Sequence, residues 1–229
     1  MKLNYGRTLN LAGRADEAAR RRVKECGVRY GRERKQVTRR RIIEAAGRRF
    51  KADGIDGSGI AALMADVGLT NGAFYAHFDS KDDLVVAAVA DQLREQREDL
   101  SAAAPGPAGA EQFLREYLSI RHRDSPEDGC PSAAPLDEIA RSADAARRAY
   151  TDGVLAVIDD AAARVAPDDP RSVRAQTLSI YALMVGTLQL SRALADRQLA
   201  DVVLEQGIQS ALTLLGAEDQ RVGRASPPA

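Results

Sequence analysis

From Thr38 onward, apolar positions recur at three- and four-residue intervals, the period of a helix packed on one face. Thr38 is followed by Ile42, Ile43, Ala46 and Phe50 at that spacing, and Gly54 supplies a stop. This predicts a helix over about 38–53 with Thr38 as N-cap. Ser58 is placed to cap a second, short helix carrying Ile60, Leu63 and Met64, which Gly68 closes. Thr70 then caps a third, about two turns long, containing Ala73, Phe74 and Ala76. Ser80-Lys-Asp-Asp83 has the form of a capping box with acids in the first turn, opening a longer helix that runs to about Ala104. There Pro105-Gly-Pro-Ala-Gly109 interrupts the chain. Further helices are predicted over about 110–122, over 136–141 leading into one that ends at Val165, and over 171–195 and 197–216. Between them, Asp124–Pro135 holds three prolines and Cys130 and reads as irregular. No alternation of Val, Ile and Thr is long enough for a strand, and no internal repeat is evident. The fold class is therefore all-α, and Phe74 and Phe78 read as core, packing the third helix against Phe50 and Ile42.

Composition supports this and narrows the setting. Ala, Leu and Arg dominate, Trp is absent, and 45% hydrophobic residues suffice for a core. No run of 18 apolar residues exists to span a membrane, and the N-terminus lacks the apolar core of a signal peptide. Cys26 and Cys130 make neither a disulfide framework nor a structural zinc site. A cytoplasmic protein without metal or cofactor is expected. The formal net charge of zero hides an asymmetry: residues 1–81 hold 18 Lys and Arg against 9 Asp and Glu, residues 82–229 hold 15 against 24. A cationic N-terminal third on an anionic body points to a polyanion at one end, the plainer alternative being solvated surface.

Two short helices joined at Gly68, with Gly-Leu leading into a Thr-capped helix, read as a helix-turn-helix. Helical hairpins with glycine turns are common, and the wider pattern is more specific. Thr38-Arg-x-x-Ile42-Ile-Glu-Ala-Ala46-x-x-x-Phe50 is followed by Gly54. Then comes Leu63-x-x-x-Val67-Gly68-Leu-Thr70-x-Gly72-x-Phe74-Tyr75-x-His77-Phe78-x-Ser80-Lys81-x-x-Leu84. Together these closely resemble the N-terminal domain of TetR-family transcriptional repressors, in the branch written Gly-Leu-Thr-x-Gly-x-Phe-Tyr-x-His-Phe. The resemblance implies that the third helix enters the major groove of DNA by its N-terminal end. Asn71 suits a bidentate contact to adenine, the Thr70 and Ala73 methyls suit thymine, and Gly72 removes bulk where backbone approaches DNA. Tyr75, His77 and Lys81, with Arg39 and Arg40 at the start of the first helix, offer donors or charge for phosphates, and Ser58 joins the DNA-facing set. His77 serves equally well as a helix-end hydrogen-bond donor.

The expected organisation is a basic extension over 1–36 with a short helix over Asp16–Cys26, a DNA-binding domain over 37–82, a helical domain over 83–218 and a tail over 219–229. In the resembling family, the C-terminal domain dimerises and binds a small-molecule effector. Tyr117-Leu-Ser-x-x-His122, Gly129-Cys130-Pro131 and Glu138-x-x-Arg141 resemble such domains more weakly. From the residues themselves, Leu178–Leu190 is apolar around nearly its whole circumference and must be covered on every face. The helices over 171–195 and 197–216 are thus the candidate homodimer interface, burial within one chain being the alternative. Tyr117, His122, Tyr150, Tyr181, Met184 and Gln189 are polar-tipped or adaptable groups on apolar helices and form the candidate ligand set. Each one alone is also an ordinary core residue. Cys130 reads as a structural thiol, with sensing of oxidants or electrophiles as the alternative. The function expected is an effector-released dimeric repressor on a palindromic operator, against two rivals: an α-helical enzyme, and a DNA-binding protein without effector. His77 and His122 have no evident acid or nucleophile partner in sequence, and no zinc, phosphate-loop or dinucleotide motif occurs.

Overall fold

The computed structural model describes residues 32–102 and 104–216. The extension through residue 31, with the helix expected over Asp16–Cys26, and the tail from 217 lie outside the described residues. Two compact units divide at Ile42/Ile43. The described part of the first, 32–42, is helical and mostly solvent-exposed, with Ile42 buried.

In the second unit, α1 (32–53) continues from Ile43 and stops at Gly54, whose φ of +80° is open to glycine and strained for other residues. Helix α2 (Ile60–Asp66) ends in a turn at Gly68 with φ +71°. There the Leu69 amide reaches back to the Met64 carbonyl at 2.9 Å and Gly68 N–H to Ala65 at 3.0 Å. The next element is a 3-10 helix, Asn71–Ala76, packed against α2. Helix α3 (Lys81–Ala102) follows, its Asp83 amide held by Ser80 Oγ at 3.1 Å. Phe50, Ile55, Leu63, Met64, Phe74, Phe78 and Leu84 are buried, and the Phe74 and Phe78 rings stack 5.5 Å apart.

The body is built from α4 (Gly106–Tyr117), α5 (Ile120–Asp124), α6 (Leu136–Arg141), α7 (Asp144–Val165), α8 (Pro170–Ala193) and α9 (Arg197–Gly216). Two 3-10 turns, Pro126–Asp128 and Pro131–Ala133, lie between α5 and α6. Helix α3 packs on α7, α7 on α8 and α8 on α9, while α4 bridges α7 and α9. One core runs through Leu114, Leu118, Ile180, Met184, Leu188, Leu204 and Ile208.

Several local expectations need correction. The first helix begins by residue 32, so Thr38 lies inside it and is no cap; the Arg- and Glu-rich stretch before it consists of good helix formers. Gly59, not Ser58, caps α2: the Ser58 hydroxyl is fully buried and donates to the Gly54 carbonyl at 2.6 Å. Thr70 does sit at an N-cap, yet its side chain makes no capping bond, and the helix it opens is 3-10 rather than α. Proline belongs in a first helical turn, so α4 starts at Gly106 and not 110. Ser119 accepts the His122 amide at 3.2 Å and splits the expected 110–122 helix in two.

Candidate nucleic-acid interface and ligand cavity

The turn at Gly68 aims the 3-10 helix so that its one apolar ring, Phe74, faces inward and its polar start faces out. Phe74 is buried; Thr70, Asn71 and Gly72 are exposed, Ala73 is half-buried, and Tyr75 is 64% exposed although aromatic. A Cβ on Gly72 would meet nothing within 4 Å, so nothing inside the molecule calls for glycine there. Thr70, Asn71, Gly72, Ala73 and Tyr75 are thereby brought onto one short element. His77 is half-buried, and Ser58 turns its hydroxyl inward. Arg39 and Arg40 belong to the first unit, on the early turns of α1, Arg39 half-exposed and Arg40 exposed. The half-buried Lys81 ammonium donates to the Ile55 carbonyl at 2.5 Å, which fixes the base of α3 against the loop after α1. Its remaining donors are still available to a phosphate.

That loop is also held from the body. Glu138 on α6 accepts the Ile55 amide at 2.6 Å and the Asp56 amide at 3.2 Å. Lys51 donates to the Gly129 carbonyl at 2.9 Å, and Arg48 pairs with Asp128 at 2.8 Å. Segment 128–138 therefore grips the end of α1 on one side, and on its other side it lines the interior.

Two spaces meet in that interior. The first is an apolar chamber of about 80 Å³ lined by Leu100, Phe113, Leu114, Val157, Ile180, Tyr181, Met184 and Gln96, with Arg164 also on its wall. The second is a polar vestibule of about 640 Å³ among Lys51, Glu95, Gln96, Phe113, Tyr117, His122 and Cys130. Gln96 and Phe113 belong to both. The Cys130 thiol is free and buried, and Gln96 Nε2 lies 3.5 Å from it. Ser132 Oγ joins two phenols, Tyr150 at 2.8 Å and Tyr181 at 2.7 Å. His122 Nδ1 bonds the Tyr117 carbonyl at 2.7 Å, and its Nε2 accepts the Cys130 amide at 2.9 Å, so the ring is neutral with its proton on Nδ1. Burial, chiefly, holds the His122 pKa below the ordinary value, against the opposing Tyr117 hydrogen bond. Burial likewise lowers the pKa of Lys51 and Arg192 and raises that of Glu95, because desolvation disfavours the charged form. Arg192 spends its guanidinium on the carbonyls of His122, Arg123 and Ala133, fixing this irregular segment to α8.

Of the six candidate ligand residues, Tyr181 and Met184 line the chamber, Tyr117 and His122 line the vestibule, and Tyr150 is joined to them through Ser132. Gln189 lies elsewhere, on a shallow space beside Glu138 and Arg192. Gln96 was missed, although a lone amide between Leu93 and Leu100 on the inward stripe of α3 was a readable signal. Lys51 and Arg192 carried no such signal, since their partners are backbone carbonyls brought in by the fold.

Residues 42–88 match the family model described as bacterial regulatory proteins, tetR family. Over 77 residues the chain is 40% identical to the HTH-type transcriptional regulator TtgR of Pseudomonas putida, a stretch of 34% of this chain and 36% of that protein. The chain thus matches about a third of the length of its curated relatives. The fold is that of solved TetR-family regulators. One from Agrobacterium tumefaciens superposes with a TM-score of 0.62 at 18% identity, covering 77% of this chain and 98% of that one. One from Cytophaga hutchinsonii gives 0.60 at 24%, covering 80% and 96%. The reduced form of NemR from E. coli gives 0.61 at 18%, covering 76% and 94%.

Proposed function

We infer that this chain is a tetR-family transcriptional regulator that reads DNA with the Asn71–Ala76 helix, acts as a dimeric repressor and is released by a small molecule. The observation that carries the reading is the outward row Thr70, Asn71, Gly72 and Tyr75 after the Gly68 turn, inside the stretch that matches the family. Asn71 supplies the one side-chain amide in that row, presenting a donor and an acceptor on separate atoms, as a bidentate contact to an adenine edge requires. Tyr75 and Lys81, with Arg39 and Arg40, serve phosphates and set register. The activity is binding, with no chemical step.

Dimerisation is supported by the outer face of the last two helices. Leu178, Ala182, Gly186 and Leu190 are exposed at four-residue intervals along α8, and Leu199 and Val202 are exposed on α9. The face that the sequence requires to be covered is thus left open by its own chain, and a symmetric copy covers it with α8 and α9. Two reading helices held roughly 34–36 Å apart then enter successive major grooves. An effector in the chamber acts on that spacing through α3, which carries Gln96 and Leu100 at the cavity and Lys81 at the reading unit. The chamber favours this over an effector-free DNA-binding protein. The test is sedimentation of the full chain alone and with DNA. A dimer at micromolar concentration, two chains per site, and a monomer for Leu190→Glu are expected; a wild-type monomer binding one per site contradicts the reading.

A further inference from the structure

We propose that the effector is a compact, uncharged molecule with one hydroxyl group on an apolar body, a phenol or an alcohol, its hydroxyl seated between Gln96 and Tyr117. The proposal rests on the effector reading above and adds the chemistry of the ligand. Its basis is the state of the polar atoms where chamber and vestibule meet. The Tyr117 hydroxyl, on a side chain 6% exposed, and Gln96 Oε1 are both buried without a hydrogen-bond partner. An unpaired buried polar atom carries a desolvation cost, so two of them at the mouth of one cavity call for a partner there. Both lie by the same sulfur: Gln96 Nε2 is 3.5 Å from Cys130 Sγ, and after burial Cys130 is the group that acts most strongly on the Tyr117 hydroxyl.

The polar groups beside them on the chamber side are already engaged. Tyr181 and Tyr150 share Ser132 Oγ, Thr177 Oγ1 donates to the Val173 carbonyl at 3.0 Å, and Gln176 donates to the Leu214 carbonyl. What is left unmatched is one pure acceptor, Gln96 Oε1, and one phenol that donates. A single hydroxyl satisfies both, donating to Gln96 and accepting from Tyr117; a carbonyl or ether satisfies only Tyr117. The chamber wall beyond is almost wholly aliphatic and aromatic, so a charge seated in the chamber would be desolvated, whereas on the vestibule side an anionic group would meet Lys51 and Arg121. The one cation on the wall, Arg164, is on α7 near its C-terminal end and gives the competing possibility, a carboxylate. At about 80 Å³ the chamber suits a body of one ring or a short branched chain, its polar end extending to the neck.

The experiment is calorimetric titration of the full chain at pH 7 with 4-methylphenol, benzyl alcohol, toluene and 4-methylbenzoate, repeated on Gln96→Leu and Tyr117→Phe. The two hydroxyl probes are expected to bind about tenfold tighter than toluene, the worth of two neutral hydrogen bonds. They should also bind at least as far ahead of 4-methylbenzoate. Each substitution should erase most of that advantage while leaving toluene within about twofold, which also shows that the variant is folded. The relative strength of 4-methylphenol and benzyl alcohol assigns the class to phenol or alcohol. Toluene binding as well as the hydroxyl probes in the wild type, the outcome if water serves the two groups, overturns the proposal. So does preference for 4-methylbenzoate, which would move recognition to Arg164 in the chamber or Lys51 in the vestibule. Binding in the expected order with no loss of DNA affinity supports the ligand assignment and overturns the effector reading instead.

Discussion

The His122 ring shows how one side chain can set a local pH limit. Both its nitrogens are in use, Nδ1 toward the Tyr117 carbonyl and Nε2 as acceptor from the Cys130 amide, and Tyr117 stands edge-on to it at 4.7 Å. Protonation destroys the acceptor and places a charge near Arg192 and Lys51, which agrees with a pKa held below the usual value by burial. Between that depressed value and the unfolded value of about 6.5, the unfolded chain binds more protons. Stability contributed by the neutral ring is therefore full above about 6.5 and is lost as pH falls toward the folded value. Melting temperature measured from pH 7.5 to 5 should fall more for wild type than for His122→Gln, so that the two curves converge at low pH. Parallel curves would assign the acid sensitivity to other groups.

At the scale of elements, the two positive-φ glycines that end α1 and α2 separate two kinds of cost. At Gly68 an added Cβ meets nothing within 4 Å, so Gly68→Ala should lose about 1–2 kcal/mol through backbone strain alone. At Gly54 the same methyl falls 2.8 Å from Glu138 Oε1 and displaces the carboxylate from the Ile55 and Asp56 amides. Gly54→Ala should cost more than Gly68→Ala in chemical denaturation, and Glu138→Ala should recover most of the excess; equal costs would mean that the Glu138 grip contributes little. The element scale is also where the sequence is most and least readable. The ends of α8 and α9 and the C-terminal end of α7 lie within one or two residues of the expected positions, because periodicity and proline act locally. Thr38 and Ser58 are cap-type residues that do not cap here, because a cap depends on its neighbours as well as on its own side chain. Good helix formers extend α1 past Thr38, and the buried Gly54 carbonyl claims the Ser58 hydroxyl. The exposed start of the Asn71–Ala76 helix was legible from the resemblance of the whole pattern, and its buried side from Phe74. The cavity was only half so, since Tyr117, Tyr181 and Met184 declare themselves as amphipathic while Glu138, Lys51 and Arg192 act through backbone groups distant in sequence.

At the scale of the whole molecule, charge and symmetry combine. Residues 1–36 alone hold 11 Lys and Arg against 4 Asp and Glu. Counterion release makes DNA affinity fall with salt in proportion to the phosphates neutralised. Removing residues 1–36 should flatten that dependence while leaving the preferred sequence unchanged, and an identical slope would show that the extension stays clear of DNA. The central claim, that a paired helix starting at Asn71 reads base sequence, is tested most directly by sequencing the DNA fragments retained by the full chain and by Asn71→Ala. The account predicts an inverted repeat with half-sites about one helical turn apart. With Asn71→Ala, preference should relax at one position of each half-site, at a cost of about 1–3 kcal/mol. Retained fragments with no common sequence, or the same pattern from both proteins, would contradict it.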